Sequence, residues 1–99
     1  VLTMAEEQQA YTLADRATYL ARREKGLSLP ILVEGDEMLF NPYGIIPVNP
    51  EKHPQVKYEL AEKFAEWITS VETQRQIGEY KKYGEVLFYP DSQEWRQSQ

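Results

Sequence analysis

Five residues in the run AYTLADRATY carry groups that suit the binding of an anion, Tyr11, Thr12, Arg16, Thr18 and Tyr19, and Asp15 stands among them. Asp15 is placed to cap a helix that starts at Arg16. A helix start turns backbone N–H groups and the positive end of its dipole toward one point, a ready site for an anion. Thr12 and Thr18 add hydroxyl donors, as do Tyr11 and Tyr19. Arg16 adds a fixed, forked positive charge that suits tetrahedral oxyanions. The same residues also describe an ordinary helix start, and local chemistry alone leaves both readings open.

Other chemistries find less support. His53 is the single histidine, in a polar loop between Lys52 and Pro54, and the chain has no cysteine. A thiolate zinc site, a disulfide framework and a cysteine nucleophile are therefore excluded, and a metal would have carboxylates alone beside His53. Glu34, Asp36 and Glu37 are close together, but their spacing matches no calcium loop. Neither a G-x-G-x-x-G run nor a phosphate-binding Lys-Ser/Thr loop occurs. Acids are plentiful and no pair stands above the others, so the chain reads as a non-enzyme.

Composition narrows the partners. A net charge of −5 and a pI near 4.9 argue against nucleic acid, which demands a basic surface. Arg22, Arg23 and Lys25 form the one basic cluster, at a helix end where cations complement the dipole. A hydrophobic share of 41% supports a packed core. No apolar run reaches the length of about 18 residues expected of a membrane span. The opening, Val1 to Gln9, does not begin with Met and lacks the pattern of a signal peptide, and reads as the last turns of a helix in a longer chain.

The elements that must position these groups follow from periodicity and punctuation. Ala10–Leu13 is a short β-type run, and Ala17, Leu20 and Ala21 repeat at helical spacing up to a stop at Gly26. Leu29–Val33 is a continuous apolar run that reads as a strand buried on both faces, closed by a turn at Gly35-Asp36. Tyr43–Val48 reads as a strand confined by Pro47 to an edge or bulge. A long helix follows from about Pro54, with Val56, Leu60, Phe64, Trp67 and Ile68 on one stripe. Ser70 caps a further helix over residues 72–80, Gly84 ends that region, 86–89 adds a last strand or apolar segment, and 93–99 frays. This order of elements is that of an α/β protein, although two short apolar strands and little amphipathic helix cannot cover a parallel sheet in the first 40 residues.

Three runs, AYTLADRATYLA, ILVEGDEMLFNPYGIIPVNPEKHP and ELAEKFAEWITSVETQRQIGEY, resemble the C-terminal portion of tungstate-type oxyanion-binding proteins. These are solute-binding components of ABC importers, related to molybdate, sulfate and phosphate binding proteins. The resemblance covers nearly all of residues 3–91. It implies a type II periplasmic-binding-protein-like α/β fold of two lobes with the ligand in the cleft between them. This chain would then be a fragment carrying parts of both: residues 1–41 in the second lobe, 42–49 a hinge-crossing strand with Asn41, Pro42 and Tyr43 at the hinge, and 50–99 in the first lobe.

The resemblance further implies that the run around Tyr11, Thr12, Arg16 and Thr18 faces the ligand, with Arg16 the charge partner and Asp15 the cap. Family members often have Thr where this chain has Ala14. The implied ligand is a tungstate- or molybdate-class oxyanion, with no cofactor and no resident metal. The implied partners are the N-terminal part of the same protein and a membrane permease, in a periplasmic or extracellular setting. A sensor or interaction module that kept the fold and lost transport is the alternative. By itself the chain is expected to expose strand edges and apolar patches, and so to dimerise or associate.

Overall fold

The computed structural model describes residues 1–99 and is mostly helical. The chain divides into two compact units, Val1–Asn41 with Lys81–Leu87, and Pro42–Tyr80 with Phe88–Gln99. The division falls between Asn41 and Pro42, and Lys81–Leu87 return to the first unit, a feature that one cut along the sequence does not anticipate.

In the first unit, α1 (Leu2–Gln8) buries Leu2 and Ala5, and α2 (Arg16–Glu24) buries Leu20, which is only 1% exposed. Leu27 completes this small core. Gln9 ends α1 in the left-handed region at φ 55°, and Ala10 N–H closes the turn on the Ala5 carbonyl at 2.8 Å. Gly26, at φ 104°, lets the chain leave α2 as the sequence reading expected. The segment that follows is tied back by hydrogen bonds: Ser28 donates through N–H and Oγ to Glu6 at 2.8 and 2.6 Å, and Tyr19 Oη donates to the Leu29 carbonyl at 2.7 Å. These bonds hold the Glu6 carboxyl below its ordinary pKa, chiefly through the Ser28 hydroxyl.

A short hairpin, β1 (Lys81–Lys82) antiparallel to β2 (Glu85–Val86), belongs to this unit. Its two-residue loop, Tyr83-Gly84, has φ 55° and 79°. Positive φ at both central positions is the signature of the turn that matches strand twist. Gly84, expected as a stop, is the second loop residue of this hairpin.

In the second unit, α3 (Tyr58–Thr69), α4 (Val71–Glu79) and α5 (Gln93–Ser98) pack together. Ser70 serves both sides of the α3–α4 corner: its Oγ donates to the Trp67 carbonyl at 2.8 Å and accepts from Thr73 N–H at 3.3 Å. Gln74, 8% exposed, is the polar pin of the unit. Its Nε2 donates to the Ile68 carbonyl at 2.7 Å, while its Oε1 accepts from Asp91 and Ser92 N–H at 2.9 and 3.1 Å. Ser92 in turn caps α5 and donates to the Thr69 carbonyl at 2.7 Å. The segment expected to fray is thereby a capped helix.

Four further expectations from the sequence are overturned. The runs Ala10–Leu13, Leu29–Val33 and Tyr43–Val48 form no strand, and the two-residue hairpin is the whole sheet. A strand requires a ladder partner, and these 99 residues supply none for the three runs. Leu32 and Val33 are accordingly 67% and 71% exposed, not buried on two faces. The fourth is the α3 stripe. Leu60, Phe64 and Trp67 are exposed, whereas Ile68 of the same stripe is half-buried, as are Ala61 and Ala65, which widen it. Phe64 and Trp67 lie side by side with ring centroids 5.7 Å apart. No helix is long and apolar enough to cross a membrane.

Gly78 shows how closely α4 approaches the segment before α5. A Cβ there would stand 2.9 Å from Pro90 Cδ and 3.2 Å from its Cγ. Gly78→Ala gains about 1 kcal/mol of helix propensity but must push against a rigid ring, which costs about 1–3 kcal/mol. The expected net result in a chemical melt is a loss of up to about 2 kcal/mol. A variant more stable than wild type would show that Pro90 yields freely.

Candidate functional site

Asp15 caps α2 as its position in the sequence indicates. Its backbone is extended, at φ −74° and ψ 157°, and its carboxylate accepts from Thr18 N–H at 3.0 Å. Thr18 and the first-turn amides hold the Asp15 carboxyl below its ordinary pKa, the Thr18 side chain most of all. The carboxylate therefore already uses part of the donor set that a helix start offers to an anion.

A depressed carboxyl pKa stabilises the fold above the unfolded-state pKa, and that contribution is lost as pH falls through the folded-state value. Asp15→Ala should lower stability by about 1 kcal/mol at neutral pH. The difference between wild type and Asp15→Asn should shrink as pH drops below about 4. Parallel urea melts at neutral and acid pH check this; a difference that grows on acidification contradicts it.

Arg16 opens α2 and turns toward two carboxylates. Its Nη2 donates to Glu34 Oε2 at 2.7 Å, and its Nη1 lies 3.9 Å from Glu85 Oε1. Glu85 Oε2 also accepts from Arg23 Nη2 at 2.6 Å. The Arg23 guanidinium carbon stands 5.7 Å from the Tyr19 ring centroid, within cation–π reach. α2, the segment carrying Glu34 and the β1–β2 hairpin are thus joined by one alternating set of charges within the first unit.

The other sequence-predicted residues are dispersed around that set. Tyr11 is 89% exposed. Thr12 is also exposed, and its Oγ1 makes a long bond, 3.4 Å, to the Leu13 carbonyl. Thr18 borders a shallow concavity with Thr3, Leu13, Ala14, Asp15 and Arg22. Arg16 does not line this concavity; Arg22 does, and it donates to the Thr3 hydroxyl. The structure therefore brings Thr18 and Asp15 together with Arg22, which sequence reasoning had assigned to the helix end. The spacing of Arg16 and Arg23, two turns apart on one helix face, was the available signal for the charge set.

Asn41, Pro42 and Tyr43 are exposed and stand at the junction between the two units. Tyr43 packs edge-on against Phe88 within the second unit, with centroids 5.7 Å apart and planes at 70°. The acidic turn is engaged in structure: Glu34 bonds Arg16, and Asp36 caps a 3-10 turn at Glu37–Leu39 by accepting from Met38 N–H at 2.8 Å. No group of three or more His, Cys, Asp or Glu residues is placed to hold a metal ion.

Comparison with known proteins gives this geometry its context. The chain is 53% identical over 94 residues to the tungstate-binding protein TupA of Peptoclostridium acidaminophilum, covering 93% of this chain and 32% of that protein. It is 44% identical over 96 residues to a Haloferax volcanii protein named for ABC-transporter anion binding, covering 92% of this chain and 28% of that protein. Among solved structures it resembles the tungstate-binding protein TupA from Desulfovibrio alaskensis G20. The TM-score is 0.75 at 45% identity, over 93% of this chain and 38% of that one. The chain spans about a third of the length of these relatives. Residues 1–72 match the family model described as PBP superfamily domain, and the chain belongs to the PBP superfamily, with its periplasmic-binding-protein-like fold.

Proposed function

We propose that this chain is part of the extracytoplasmic solute-binding component of an ABC importer, and that the whole protein binds a tetrahedral oxyanion of the tungstate or molybdate class. The observation that carries this reading is identity of 53% and 45% to proteins named for tungstate binding, spread over 93% of the chain. A relative named for ABC-transporter anion binding supports the permease as partner. On this reading the protein is a carrier without catalysis or cofactor, and it works outside the cytoplasm against a membrane permease.

Within the chain, Arg16 supplies the charge for the anion, and Thr12, Thr18 and Tyr11 supply hydroxyl donors. Asp15 shapes the helix start. The first unit is part of one lobe, the second unit is part of the other, and Asn41–Tyr43 belong to the hinge. The remainder of the parent protein covers the exposed apolar face of α3 and the unpaired runs at 29–33 and 43–48.

Titration calorimetry of the full-length parent with tungstate, molybdate, sulfate and phosphate tests the reading. Tungstate or molybdate should bind at least about tenfold more tightly than sulfate or phosphate, a difference of roughly 1.4 kcal/mol. Absence of binding by all four would overturn it.

A further inference from the structure

We propose that Glu34 and Glu85 are positioning residues for the Arg16 guanidinium, and that their charges hold down the affinity of the oxyanion site. This rests on the oxyanion reading above. The observation is the set of four charges described for α2: Glu34 bonds Arg16 directly at 2.7 Å, and Glu85 lies between Arg16 at 3.9 Å and Arg23 at 2.6 Å. The side chains of Arg16, Glu34 and Glu85 are 33%, 55% and 40% exposed. Surface pairs of this kind contribute little to folding. Their effect on an anion bound at the same guanidinium is a separate matter.

A carboxylate that bonds the guanidinium fixes the direction of its fork, which a tetrahedral anion then meets already oriented. The same carboxylate sets a negative charge against the dianion, and a repulsion of this kind across about 6 Å at the dielectric of water weakens binding by about tenfold. Orientation and repulsion can be separated because glutamine keeps the acceptor oxygen and loses the charge. Glu34 should have the larger effect, since the charge of Glu85 is divided between Arg16 and Arg23.

The test titrates sodium tungstate into the full-length parent at low ionic strength, with melts to verify folding. Glu34→Gln should tighten binding by about three- to tenfold, and added salt should reduce that gain. Glu85→Gln should tighten it by about twofold. Glu34→Ala should bind at least about threefold more weakly than Glu34→Gln, because the acceptor that orients the fork is gone. Glu72→Gln, which removes a carboxylate paired with Arg75 in the other unit, should leave affinity unchanged. Equal affinities for Glu34→Gln and Glu34→Ala would overturn the positioning role, and a Glu34→Gln affinity no tighter than wild type would overturn the charge effect. Failure of the oxyanion reading itself looks different: wild type would not bind tungstate, or Arg16→Ala would bind as wild type does.

Discussion

Phe64→Ala in the full-length parent should cost about 3–5 kcal/mol of stability, the loss typical of a buried aromatic cut back to a methyl group. In the chain alone Phe64 is 53% exposed, beside Leu60 at 61% and Trp67 at 55%. An exposed stripe of large apolar side chains on an amphipathic helix has a strong tendency to be covered. Removing Phe64 from the chain alone gives up little beyond its ring contact with Trp67, worth about 0.5–1.5 kcal/mol. The contrast between the two settings is the content of the prediction. Urea melts of the parent and its variant measure it, and a loss below about 1 kcal/mol in the parent would mean that this face of α3 meets solvent there too.

Arg16→Ala in the parent should weaken tungstate binding by about 10- to 150-fold, since hydrogen bonds to a charged group are worth roughly 1.5–3 kcal/mol. Arg16→Lys should lose part of that, because a lysine keeps the charge and gives up the fork. The lost surface pairs with Glu34 and Glu85 should cost no more than about 1 kcal/mol of stability, so a large change in affinity with a small change in melting separates the ligand role from a structural one. Affinity unchanged in Arg16→Ala would reduce the run at 10–19 to a helix start.

The parts of the fold legible in the sequence were those with local causes. Asp15 and Ser70 cap helices through their own side chains, and Gly26 ends one through its freedom at positive φ, so each could be read from a few neighbouring residues. The runs at 29–33 and 43–48 read as strands from apolar content, but a strand needs a paired neighbour, and neither run is paired in the fold. The α3 stripe failed for a related reason. Periodicity correctly grouped Leu60, Phe64 and Trp67 on one face, but it cannot say whether anything covers that face. In the candidate site, the place of Arg16 in the run marks it as the opening residue of α2, which the structure shows. Its ties to Glu34 and Glu85 span 18 residues and 69 residues of sequence, a separation that only the folded chain closes.

Anomalous diffraction at a tungsten absorption edge, on crystals of the full-length parent grown with tungstate, locates the metal of the anion directly. The account predicts an anomalous peak whose oxyanion oxygens lie within hydrogen-bonding distance, about 3 Å, of the Arg16 guanidinium, with a hydroxyl from Thr12, Thr18 or Tyr11 among the other donors. A fully occupied peak elsewhere in the protein, with Arg16 still bonded to Glu34 and out of reach of the anion, would contradict it.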